Sequence, residues 1–381
     1  MKKKIFTALG LMTGTSMDGV DLSLIKSDGQ EEFHCIFNDY HVFDDELKEK
    51  LLNLREKLKI GKDLIKNKED IKNLDREITL IHGQIIKNLT RSNYEFDLIG
   101  FHGQTIFHNS KEKISKQLGD GKLLSQITRK IVINNFREKD LENGGQGAPL
   151  TPIFHELLAK KIHSDHKIDF PINILNIGGI SNVTLVIKDT KDNKLKKFAY
   201  DIGPGNFLID TWMKKKSKKS FDLGGKISET GKVDTLILNQ TIDNFEIKSY
   251  EKSLDVSEFD LAFVKGLSLE DGGATITKFT AYLIGKGIED VNKLNGFVPN
   301  NIFVCGGGRK NKYLLGCIKE YFSDKKIKIV DIDNFNCNGD FIESQAFGYL
   351  AIRSFLGLPI SFPNTTRCKN STTGGTLNKN Y

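Results

Sequence analysis

Two glycine-bearing segments of this 381-residue chain carry the residue types that grip phosphate, and a third offers bare backbone. In Gly14-Thr15-Ser16-Met17-Asp18-Gly19-Val20-Asp21 the glycines let backbone N–H groups approach phosphate oxygens, and Thr15 and Ser16 add hydroxyl donors. Asp18 and Asp21 would repel phosphate unless a divalent cation lay between, so they point to Mg²⁺ held by Asp18, directly or through water. A second set of amides follows at Asn176 to Asn182, around Gly178 and Gly179. Gly306-Gly307-Gly308 ends a strand and offers bare backbone for an adenine ring or ribose. Each segment alone also fits an ordinary turn, and none is a GxxxxGK[ST] or GxGxxG loop.

Beside these lie groups able to move protons or bind hydroxyls. Asp201, at a strand end before the rigid turn Gly203-Pro204-Gly205, is the candidate general base, because phosphoryl transfer needs a carboxylate within reach of the nucleophile. An aspartate bonding its own turn is the plainer alternative. His102, Gln104 and Arg137 supply imidazole, amide and guanidinium groups suited to hydroxyls, an acetamido group or a carboxylate. Glu343 opens a late apolar helix, where it either favours the helix dipole or faces a ligand.

The elements that must position these groups follow from the apolar pattern. Ile5–Leu11 and Val20–Ile25 read as strands flanking the first turn, and Asp44–Asn93 reads as helical. Phe96–Phe101 is a strand ending at His102, and Ile153–Ile162 an apolar helix after a Gly, Gln and Pro-rich crossover. Strand, glycine turn, strand then recurs at Ile172–Ile187, and Asn301–Val304 repeats the later strand ending in glycine. Two such halves could hold a polyphosphate from both sides. Lys188–Lys197 reads as a surface hairpin tip.

Composition narrows the class. The length suits two domains, and 38% hydrophobic with 28% charged residues suits a globular protein. The basic, apolar start imitates a secretory signal, but Thr7 and Gly10 interrupt the run and no cleavage pattern follows. No stretch approaches the roughly 20 apolar residues of a spanning helix, so no membrane role and a cytoplasmic location are expected. Five scattered cysteines suit reduced thiols, and no clustered Cys/His pattern suggests zinc. The net charge of +7 is spread along solvated faces apart from Lys214–Lys219, so nucleic acid is not the expected partner.

Taken together, LMTGTSMDGVD, FHGQTIFH, NFR, GGQGAPLTP, NIGGISNVT, YDIGPGN, CGGGRKN and ESQAFGYLA, in this order, resemble the anhydro-N-acetylmuramic acid kinase family of the sugar kinase, heat-shock ATPase and actin superfamily. The resemblance implies a two-lobed α/β fold, actin-like and ribonuclease H-like, with a central interdomain cleft. The N-terminal lobe would be residues 1–134 with 357–381, and the C-terminal lobe 135–356. It implies ATP-driven, Mg²⁺-assisted conversion of 1,6-anhydro-N-acetylmuramic acid and water to N-acetylmuramic acid 6-phosphate, a step of bacterial peptidoglycan recycling. Asp201 would deprotonate the water. By the same matching Gly14 to Asp21 would bind the ATP phosphates and Arg137 and Glu343 would hold or polarise the sugar; beside these, the residue reading adds Gly178, Gly179 and Gly306 to Gly308 for ATP and His102 and Gln104 for the sugar. A homodimer is also implied. The stretch Lys252–Phe259, Ile202 in place of the usual Thr, and the closing Thr372-Thr373-Gly374-Gly375 depart from the family pattern. The alternatives are a kinase of the same fold that opens no ring, and a non-catalytic nucleotide switch.

Overall fold

Leucines alternate with small residues in the first strand, which gives it two faces to cover. The computed structural model describes residues 4–247, 249–254 and 258–381. Met1 to Lys3, in the basic start, and Asp255 to Ser257, in the divergent stretch, lie outside them. The first sheet holds β1 (Phe6–Thr13), β2 (Gly19–Ser27), β3 (Phe33–Val42), β4 (Leu98–Asn109), β5 (Ile114–Leu118) and β6 (Ile131–Asn134). Its order is β3-β2-β1-β4-β6, with β5 folded back on β4 and the short strand Thr376–Asn378 on β6. β1 runs antiparallel to β2 and parallel to β4.

One face of this sheet presents Leu9, Leu11, Leu22, Leu24, Ile99 and Phe101 to Leu47, Leu51 and Ile78 of the helices Asp45–Lys57 and Lys68–Arg91. Burial of each such side chain contributes roughly 1.5–3 kcal/mol. On the other face Gly10 and Gly100 are register partners in β1 and β4. A Cβ at Gly10 would lie 1.9 Å from the Ser344 carbonyl oxygen, and one at Gly100 2.2 Å from that of Phe347. Bare backbone here lets the helix Ile342–Phe355 rest on the sheet, which fixes its first turn and Glu343 against β1.

The second sheet holds β7 (Ile172–Ile177), β8 (Ser181–Lys188), β9 (Leu195–Gly203), β10 (Asn301–Cys305) and β11 (Lys328–Asp331), in the order β9-β8-β7-β10-β11. Strand order and directions repeat those of β3-β2-β1-β4-β6, so the duplicated mixed α/β fold expected from the sequence is present. Leu175, Ile177, Val183 and Ile202 pack with Trp212 and with Ile276, Ile284 and Ile288 of the helix Leu269–Leu294. Gly287 makes room for Ile202, since a Cβ there would lie 2.6 Å from the Ile202 Cβ. The Ile202 departure is therefore a packing residue on the strand face opposite Asp201.

The chain divides into residues 1–157 with 341–381, and residues 158–340. The sequence placed these boundaries at 134/135 and 356/357. Two long-range contacts account for the difference. The helix Ile342–Phe355 packs on β1, β2 and β4, and Asp140 accepts a hydrogen bond from Thr366 Oγ1 at 2.6 Å. Arg137 and Glu343 thus belong to the first unit. Among the described residues no helix is long and apolar enough to cross a membrane, and the five cysteines are free thiols.

Candidate active site

Between β1 and β2 the chain turns at Gly14 to Met17, where the Met17 N–H donates to the Gly14 oxygen at 3.2 Å and Met17 takes φ 57°. Two side chains fix this turn from outside, Gln104 Nε2 donating to the Gly14 oxygen at 3.0 Å and Arg55 Nη1 to the Thr15 oxygen at 2.7 Å, while Thr13 Oγ1 at the end of β1 donates to the Gly103 oxygen at 2.7 Å. The amides of Thr15 and Ser16 have no acceptor among the described residues. A Cβ at Gly14 would meet only Ser16 Oγ at 3.5 Å, so packing does not demand glycine there. At Gly19 it does, because a Cβ would lie 2.4 Å from the His41 oxygen.

Ser16 Oγ donates to Asp18 Oδ1 at 2.6 Å. Asp18 and Asp21 both press on the Tyr40 phenol, whose pKa rises through burial first and these two carboxylates second. Among the described residues no group of three or more His, Cys, Asp or Glu could hold a metal. Two half-buried carboxylates beside open amides nevertheless suit Mg²⁺, which keeps several waters and takes one or two protein carboxylates plus substrate phosphates.

Downstream on β4, His102 is buried with both ring nitrogens engaged. Nδ1 bonds the Gly103 oxygen at 2.7 Å, so it carries the proton, and Nε2 accepts from Arg137 Nη2 at 2.9 Å. Burial first, and the Arg137 charge second, hold the ring neutral by pushing its pKa well down. His102 therefore orients Arg137, leaving neither nitrogen for a ligand. Arg137 Nη1 donates to the Gly147 oxygen at 2.8 Å. Asp140 fixes that loop by accepting from the Gly147 N–H at 2.7 Å. Burial lowers the Arg137 pKa to about 10, with Glu343 and Asp140 pulling it back up, so the guanidinium is charged at neutral pH.

Two atoms of this cluster remain without partners: Arg137 Nε, a donor, and Gln104 Oε1, an acceptor, are both buried. Exchanging the ends of the Gln104 amide would set oxygen against the Gly14 and Thr105 carbonyls, so Oε1 must find its donor elsewhere. Glu343 is half-buried. Loss of water raises its pKa and Arg137 draws it down. A carboxyl group, a charged guanidinium and an amide oxygen form a set matched to sugar hydroxyls and an amide or carboxylate substituent.

In the second unit the turn between β7 and β8 is fixed through its carbonyls. Asn206 and Phe207 N–H donate to the Gly178 and Gly179 oxygens at 2.8 and 3.2 Å, while the Gly179 and Ile180 amides have no acceptor among the described residues. A Cβ at Gly178 would meet only the Ile180 oxygen at 3.5 Å. Asp201 sits on β9 opposite Asn182 of β8, two positions before the Gly203–Ser181 pair that borders this turn. The Leu254 N–H donates to Asp201 Oδ2 at 3.0 Å. That contact uses backbone, so the divergent side chains around 252–259 leave it available.

The triple-glycine turn behaves differently from its expected role. A Cβ at Gly308 would lie 2.2 Å from Ile177 Cγ2 and one at Gly306 2.3 Å from Asn176 Oδ1, so both are glycine because they pack against the end of β7. Only Gly307 faces open space. The supports Arg55, Tyr40 and Asp140 lie outside the glycine motifs and carry no distinguishing spacing, so no local pattern marks them.

Two repeated sheets, each with a glycine turn between its first two strands, make a duplicated mixed α/β fold. The family model for anhydro-N-acetylmuramic acid kinase matches residues 6–380, and the chain belongs to that family. A protein of Pelagibacter ubique named anhydro-N-acetylmuramic acid kinase is 50% identical over 100% of both chains. Proteins of the same name from Rhodopseudomonas palustris and Brucella canis are 35% and 34% identical, covering 98% and 97% of this chain and 99% and 97% of their own.

Proposed function

We infer that the chain is an ATP-dependent anhydro-N-acetylmuramic acid kinase that opens the 1,6-anhydro bridge with water and phosphorylates O6, and that Asp201 is its base. The location of Asp201 supports this most directly: it lies one strand from the Gly178–Gly179 turn and is oriented by the Leu254 amide.

In the proposed reaction Asp201 takes one proton from a water whose oxygen attacks C1. The C1–O6 bond breaks as that C–O bond forms, leaving a hydroxyl at C1. O6 then takes the γ-phosphoryl group and ADP leaves. The proton on Asp201 passes to solvent. Arg137 and Glu343 bind and polarise the sugar, and His102 holds Arg137 in place. Gln104 Oε1 accepts from the sugar and links this cluster to the first phosphate turn. The Thr15, Ser16, Gly179 and Ile180 amides receive phosphate oxygens, and Gly307 leaves room for the adenosine. Asp18 would hold Mg²⁺, directly or through water. When bound, that ion supplies charge neutralisation on the phosphates.

Reaction in ¹⁸O-labelled water tests the coupling. The label belongs at C1 of the N-acetylmuramic acid 6-phosphate formed, and an unlabelled product would favour a kinase that opens no ring. The reaction belongs in the cytoplasm, where ATP is supplied. The homodimer implied by the resemblance is checked by light scattering.

A further inference from the structure

Behind the triple-glycine turn lies a charged cluster that the reaction does not use. The Arg309 side chain is 3% exposed and meets three carboxylates. Nη1 donates to Asp340 Oδ1 at 2.6 Å and Nη2 to Asp333 Oδ2 at 2.8 Å, while Nε lies 3.4 Å from Asp331 Oδ1 without hydrogen-bond alignment. Lys310 adds a second cation on Asp340 Oδ2 at 2.8 Å.

These groups close on the turn itself. Nη1 also reaches the Gly306 oxygen at 3.3 Å, and the Gly306 N–H donates to the Gly339 oxygen at 3.1 Å. The Gly339 N–H in turn donates to Asp333 Oδ1 at 2.6 Å. Gly339 admits the guanidinium, because a Cβ there would lie 2.6 Å from Arg309 Nε. Gly306 takes φ 79°. Gly306 rests on Asn176 and Ile177 and Gly308 on Ile177, the residues leading into the Gly178–Gly179 turn. One side chain therefore braces the triple-glycine turn, which itself packs on the residues leading into the Gly178–Gly179 turn.

We propose that Arg309 is a positioning residue for ATP: clamped by Asp333 and Asp340, it sets the triple-glycine turn against the Asn176–Gly179 turn. The guanidinium serves Asp340 and the Gly306 oxygen through Nη1 and Asp333 through Nη2, whereas the donors of an ammonium all radiate from one nitrogen and do not reach both carboxylates at these positions. The inference rests on the nucleotide roles proposed above for these turns, and it leaves Asp201 and the sugar cluster untouched.

The test compares steady-state kinetics of the wild type, Arg309→Lys, Arg309→Ala and Asp340→Asn. KM for ATP should rise about tenfold or more in both arginine variants and less in Asp340→Asn, as lost charge-assisted hydrogen bonds imply. KM for the anhydro-sugar and kcat should stay within about threefold. Added guanidinium chloride at millimolar concentration should lower KM for ATP in Arg309→Ala and not in the wild type. If Arg309→Ala does not fold, the Lys and Asn variants carry the comparison. An unchanged KM for ATP, or equal losses in kcat and both KM values, would overturn the proposal. The ¹⁸O result would stand in either case, so failure here is separate from failure of the reaction.

Discussion

Arg137 donates through Nη2 to His102 Nε2 at 2.9 Å, and His102 in turn uses Nδ1 on the Gly103 oxygen. The imidazole is therefore a neutral acceptor for a charged donor. Removing it should loosen the guanidinium without touching the phosphate turns. His102→Ala is expected to raise KM for the anhydro-sugar by about tenfold to a hundredfold, the value of one charged hydrogen bond, with KM for ATP within twofold. Initial-rate kinetics in each substrate check this split.

Gln104 connects the two sets of groups, with Nε2 on Gly14 and Oε1 unpartnered. Gln104→Glu keeps the shape but sets a carboxylate oxygen against the Gly14 carbonyl. Both KM values should rise, each by about tenfold, as one good hydrogen bond becomes a repulsion. A variant changing KM for the sugar alone would limit Gln104 to the sugar.

Glycines at the turns separate into those the fold needs and those a ligand needs. Gly14→Ala meets only Ser16 Oγ at 3.5 Å, whereas Gly308→Ala meets Ile177 Cγ2 at 2.2 Å. Gly14→Ala should keep its Tm within about 2 °C and lose ATP affinity. Gly308→Ala should lose about 1–3 kcal/mol of stability. Thermal unfolding and ATP titration distinguish the two.

Asp210, half-buried in the helix Phe207–Lys216, has its pKa pushed up from 3.8 to about 6 by burial, with Lys214 pulling down and Asp222 pushing up. Between these values the native state binds more protons than the unfolded chain, so stability falls as pH rises from about 4 to about 6, and the cost is complete above that. Asp210→Asn removes it. Its Tm should exceed that of the wild type by a few degrees at pH 7.5 and match it near pH 3.5. A constant difference at both pH values would assign the effect to packing.

The duplicated sheet was legible because apolar runs and glycine turns recur at matching places in the two halves, and strand pairing followed the same pattern twice. The unit boundary was not. It depends on a helix near the C-terminus finding Gly10 and Gly100, and glycine in a strand reveals nothing of what approaches it. Asp201, Arg137 and Glu343 could be singled out by motif. That His102 serves Arg137, and that Gly306 and Gly308 serve packing, emerged only from side-chain geometry. Arg309 stands in a recognisable motif, but its partners Asp333 and Asp340 follow at spacings no local pattern predicts.

The claim that Asp201 activates the water is tested most directly by Asp201→Asn, which keeps size and most hydrogen bonding while removing the base. Turnover of the anhydro-sugar should fall by about 10²–10⁴-fold while ATP binding, measured by titration calorimetry, stays within a fewfold of the wild type. Near-normal turnover in this variant would contradict the account and move the base to another residue.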